Sequence, residues 1–86
     1  MSYQIKISKE FDKFLERHRD LAPKVVRSFR IIAQNPRQNA LDIAKLKGEE
    51  NKYRLRLGKY CFLYEIIEEQ ILVYAYKANS RGDVYK

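Results

Sequence analysis

Arg54 and Arg56 stand one residue apart in the run Lys52-Tyr53-Arg54-Leu55-Arg56-Leu57. In an extended chain, period two sends Tyr53, Leu55 and Leu57 to one face and both arginines to the other. Two adjacent guanidinium groups can each grip phosphate oxygens bidentately, and they keep their charge at any working pH. Lys45, Lys47 and Lys52 lie nearby in sequence, and Arg81 stands near the C-terminus, so all four are candidates to converge on the arginine face and follow a phosphate backbone. The same alternation also describes an amphipathic strand whose arginines only keep a sheet soluble, and the pattern by itself leaves both readings open. The tail Ala78 to Lys86 carries a second chemical group, the Tyr85 phenol. Returned along the arginine face, that phenol gains phenolate character from the cations and can take part in proton transfer. Stacked on the sheet, it only anchors the chain end.

These groups must be positioned by a small body. A chain of 86 residues supports one core, so a single domain over residues 1–86 is expected. Eighteen Lys and Arg against 11 Asp and Glu give a net charge of +7, which points to an anionic partner. No apolar run approaches the length of a bilayer span, and the N-terminal residues lack the basic-then-apolar order of a signal peptide; a cytoplasmic protein is expected. One cysteine and one histidine make neither a disulfide nor the usual zinc arrangements, so chemistry without metal or cofactor is expected.

The alternation of Tyr3, Ile5 and Ile7 predicts a short first strand. Ser8 suits an N-cap, and Phe11, Phe14, Leu15 and His18 recur at helical spacing towards Asp20. Pro23 fits a first helical turn, and Val25, Val26, Phe29, Ile32 and Ala33 continue an apolar stripe to the Asn35-Pro36 break. Residues 37–48 read as a short helical turn or an irregular segment pinned by Leu41, Ile43 and Leu46. Tyr53–Leu57, Tyr60–Ile67 and Gln70–Lys77, separated by Gly58-Lys59 and Glu68-Glu69, read as a three-stranded antiparallel meander. The result is an α+β fold: an N-terminal strand, a helical hairpin, then the meander, with the helices packed on one sheet face.

Four segments, in this order and spacing, resemble the RelE/ParE superfamily of toxins from type II toxin–antitoxin systems: Lys45-Leu46-Lys47-Gly48, Tyr53 to Tyr60, Leu63-Tyr64-Glu65-Ile66, and Arg81 with Val84-Tyr85. The resemblance spans nearly the whole chain and implies the same sheet-and-hairpin fold. For activity it implies one of two targets, messenger RNA cut on the ribosome (RelE-like, an mRNA interferase) or DNA gyrase (ParE-like), with RNA cleavage favoured. It also implies a cognate antitoxin protein as partner. In the RNA-cutting branch, Arg54 and Arg56 match basic positions on the first meander strand, Arg81 the basic position before the tail, and Tyr85 the C-terminal tyrosine. Arginine exchanges protons poorly, so Arg54, Arg56 and Arg81 are assigned charge stabilisation and Tyr85 proton transfer or base stacking. Lys47 and Lys52 are both candidates for the general base. Two positions depart from the family pattern, with Cys61 in place of an arginine and Ser80 in place of a histidine, and they keep a third reading in view, a toxin homologue that only binds its antitoxin.

Overall fold

Strand β1 (Gln4–Ile7) opens the chain at a sheet edge, and helix α1 (Lys9–Arg17) follows directly. The computed structural model describes residues 2–36 and 40–80, with Ser80 described by its backbone alone. Ser8 caps α1 as the sequence predicts: its Oγ accepts from the Phe11 N–H at 3.1 Å and donates to the Tyr76 carbonyl at 2.9 Å. One side chain thus satisfies an orphan helix donor and ties the helix start to the sheet. The helix stops at Arg17, three residues before Asp20, and His18 forms its C-cap. Helix α2 (Ala22–Gln34) carries Pro23 in its first turn, where the missing N–H costs nothing, and buries Val25, Phe29, Ile32 and Ala33.

The meander forms as strands β3 (Lys52–Leu57), β4 (Tyr60–Ile67) and β5 (Leu72–Ser80). The segment before it contributes a further element, strand β2 (Ile43–Lys45), paired antiparallel to β3, where a helical turn or irregular segment was expected. The sheet therefore has five strands in the order β1-β5-β4-β3-β2, with β1 parallel to β5 and the rest antiparallel. Both helices lie on one face, and the α+β architecture holds as read.

The core is where α1, α2 and the sheet meet. Phe11 and Phe14 from α1, Phe29 and Ile32 from α2, and Leu55, Phe62, Tyr64, Ile66, Val73 and Ala75 from the sheet are all buried. Phe62 sits at the centre, its ring 5.7 Å from that of Phe11 and 5.4 Å from that of Phe14. Tyr64 is fully buried, with its ring edge-on to Phe29, yet its hydroxyl has no hydrogen-bond partner. An unsatisfied buried hydroxyl costs stability, so Tyr64→Phe is expected to raise stability by about 1 kcal/mol. Burial, helped by neighbouring Tyr53, pushes the Tyr64 phenol above its ordinary range. A group whose pKa is raised on folding loses stability as pH climbs past the unfolded phenol value of about 10. Thermal melts between neutral pH and pH above 10 should show a steeper alkaline decline for the wild type than for Tyr64→Phe.

The turn from β4 to β5 is the other point of strain. Residues Glu68–Gln70 form a single 3-10 turn, and Ile71 follows at φ 49°, an αL conformation that a β-branched side chain rarely adopts. Tyr3 braces this turn by donating from its hydroxyl to Glu68 Oε2 at 2.7 Å, and the Gln4 N–H reaches the Ile71 carbonyl at 2.9 Å. Because αL costs an L-residue roughly 1–2 kcal/mol and glycine forfeits only about 0.5–1 kcal/mol in chain entropy, Ile71→Gly is expected to stabilise by about 0.5–1 kcal/mol. Ile71 is exposed, so little packing is lost; a melting point no higher than that of the wild type would contradict the strain.

Candidate nucleic-acid interface

Register decides which side chains share the face that the helices leave open. Leu55 pairs with Phe62 and both are wholly buried beneath the helices, so the alternate residues of β3 and β4 point the other way. Arg54 stands in a row with Ala44 of β2, Leu63 of β4 and Lys77 of β5. Arg56 stands one step along, in a row with Cys61 and Asn79. The two arginines are therefore neighbours on the open face, as the alternation predicts, and both are half-buried.

Of the three lysines, one joins them. Lys52 shares the face and pairs across to Glu65; its Nζ lies 4.0 Å from Glu49 Oε2 and 5.9 Å from the Tyr76 ring centroid. Lys45 pairs with Tyr53, whose alternation puts it on the helix-bearing side, so Lys45 does not converge on the arginines. Its parity follows from Ile43, which packs against the core two residues earlier. Lys47 is exposed in the turn between β2 and β3. Arg81 and Tyr85 lie outside the described residues.

Sequence reasoning missed Asp42, the residue just before β2. Its Oδ2 accepts from Arg56 Nε at 2.7 Å, and its carbonyl accepts from the Arg56 N–H at 2.9 Å. The ion pair is partly solvent-exposed and is worth no more than about 1 kcal/mol. A phosphate approaching Arg56 thus meets a guanidinium already held by a carboxylate at the sheet edge. Arg54 lies at the middle of β3 with its Nε buried.

Cys61 is a fully buried free thiol within this face, a small filler between Arg56 and Asn79. His18 stacks on Phe14 at 4.2 Å and meets Tyr60 edge-on at 5.3 Å, on the helix side of the sheet. It is a packing residue away from the arginines. Among the described residues, no three His, Cys, Asp or Glu side chains gather as metal ligands would. No helix among them is long and apolar enough to cross a membrane.

A helical hairpin on a five-stranded mixed sheet is also the fold of solved RelE structures. The archaeal RelE–RelB complex from Pyrococcus horikoshii OT3 contains a chain that superposes with a TM-score of 0.80 at 27% identity, covering 95% of this chain and 98% of that one. The RelB–RelE complex from Methanococcus jannaschii gives a TM-score of 0.70 at 27% identity, over 93% of this chain and 94% of that one. The isolated E. coli RelE toxin shares the fold, with a TM-score of 0.76 at 17% identity, over 92% of this chain and 84% of that one. In sequence, a relative named as a toxin, RelE1 of Methanocaldococcus jannaschii, is 28% identical over 91 residues, spanning all of this chain and 98% of its own. No protein-family profile matches. Fold and sequence agree that the chain is similar to RelE proteins over nearly its whole length.

Proposed function

We propose that this chain is a RelE-like toxin, a metal-independent endoribonuclease that cuts messenger RNA on the ribosome, in the cytoplasm, and is held in check by a cognate antitoxin. The observation that carries the reading is the pair Arg54 and Arg56, side by side on the sheet face that the helices leave uncovered. In the proposed step a ribose 2′-OH loses its proton to a base and its oxygen bonds to the adjacent phosphorus. The bond from phosphorus to the 5′ oxygen breaks, and that oxygen takes up a proton as it leaves. The ends are a 2′,3′-cyclic phosphate and a 5′-hydroxyl.

Between them lies a phosphorane with added negative charge, and guanidinium donors fixed on a sheet stabilise it without reorganising. Arg54 and Arg56 share that role, Arg56 once phosphate displaces Asp42, and Arg81 adds a third charge. Tyr85 serves proton transfer or stacks on a base. Lys52, already on the face, is better placed than Lys47 to act as the base. The antitoxin assignment is supported by relatives whose crystal structures are RelE–RelB complexes; an acidic partner suits a chain of charge +7.

Adding the purified chain to a cell-free translation reaction should halt protein synthesis and leave cuts in the ribosome-bound message. Intact message, together with gyrase-dependent DNA breaks in the parallel assay, would move the target to DNA gyrase. Intact message with no DNA breaks would leave a chain that only binds its antitoxin.

A further inference from the structure

The pairing of β4 with β5 slips between Leu63 and Tyr64: Tyr64 faces Ala75 while Leu63 faces Lys77, which leaves Tyr76 as an extra residue. Such a bulge re-aims side chains and is favoured beside functional sites. Here Val73, Ala75 and Ala78 keep to the buried face, so the open face receives Tyr74, Tyr76 and Lys77, one side chain more than strict alternation allows.

The added tyrosine falls in a definite place. One row across the open face runs Lys52, Glu65, Tyr74, and the next runs Arg54, Leu63, Lys77; Tyr76 enters between them. The Tyr74 and Tyr76 rings lie 6.2 Å apart at 35°, both half-buried, and Lys52 Nζ sits 5.9 Å from the Tyr76 centroid. Burial first, then the carboxylates of Glu65 and Glu49, raise the Tyr76 phenol, which marks how near those acids lie.

Half-exposed aromatics on an open sheet, next to cations, are the usual platform for unpaired bases. A carboxylate beside the platform accepts from an exocyclic amine such as cytosine N4 and repels the O4 acceptor that uracil presents at the same edge. We propose that Tyr74, Tyr76 and Glu65 form a base-reading subsite next to Arg54, which stacks one unpaired base of the RNA and favours a base bearing an amine, cytosine over uracil. This rests on the reading of the open face as an RNA surface.

The test is fluorescence anisotropy with the full chain and two short, labelled, single-stranded 2′-O-methyl oligonucleotides that differ at one position, cytosine or uracil. The wild type should bind the cytosine probe more tightly. Tyr76→Ala should lose about tenfold in affinity while Tyr76→Phe keeps it, because stacking needs the ring and not the hydroxyl. Glu65→Gln should bind both probes alike, since an amide both donates and accepts. Equal wild-type affinity for the two probes, or unchanged affinity in a Tyr76→Ala variant with a native circular dichroism spectrum, would overturn the subsite. The probes lack the 2′-OH, so binding is scored apart from cleavage. A chain that reads the base yet spares messenger RNA defeats the nuclease reading alone, and one that cuts messenger RNA with Tyr76→Ala at wild-type affinity defeats the subsite alone.

Discussion

Replacing Arg54 with alanine is expected to slow RNA cleavage by on the order of 10²–10³-fold, the usual cost of removing one preorganised donor from a charge-developing transition state. The residue lies mid-strand in β3, flanked by Ala44 on β2 and Leu63 on β4, so the sheet itself fixes where the guanidinium begins. Arg54→Lys keeps the charge but loses the planar fork, and should fall between the wild type and alanine. The fold should survive in both, because Arg54 belongs to the open face and the core residue beside it, Leu55, is untouched. Single-turnover cleavage rates with matched thermal melts check the pair of expectations. A rate loss that tracks a loss of melting temperature would assign Arg54 to stability instead.

Phe62→Ala carries the largest expected effect on stability. Truncating a buried phenylalanine costs about 3–5 kcal/mol, against a total stability of about 5–15 kcal/mol for a domain. Phe62 is wholly buried in the central strand of the sheet, between Leu55 of β3 and Ala78 of β5, and its ring meets both aromatic side chains that α1 buries. The surrounding rings cannot close the space because they are edge-packed on one another, with Phe11 at 87° to Phe29. A melting temperature lower by at least about 12 °C is expected. A drop of a few degrees would mean that the core is far more plastic than these contacts imply.

Much of this architecture is legible in the residues alone. Strict alternation over Tyr53–Leu57 identifies a strand and assigns its faces, whereas Tyr60–Ile67 is apolar on almost both faces, which marks it as a strand from the middle of the sheet. The Ser8 cap and the spacing of Phe11 and Phe14 do the same for α1. Strand β2 escaped because three residues carry no periodic signal of their own; Ile43–Lys45 is extended through its pairing with β3, a tertiary effect. Its parity nonetheless had a cue, since placing Ile43 in the core commits Lys45 to the same side. The bulge in β5 also left a trace: the small and apolar positions Val73, Ala75 and Ala78 are spaced by two and then by three. The Asp42–Arg56 pair left none, because it joins residues 14 apart through a register that no local pattern records. Arg81 and Tyr85 keep the roles assigned by resemblance, as proposals.

The most direct test is cleavage of a defined message on programmed ribosomes, comparing the wild type with an Arg54→Ala, Arg81→Ala double variant shown to fold, and mapping the chemistry of the new ends. The account predicts cuts by the wild type alone, ending in a 2′,3′-cyclic phosphate and a 5′-hydroxyl. Equal cleavage by the double variant, or ends that carry a 5′-phosphate, would contradict it.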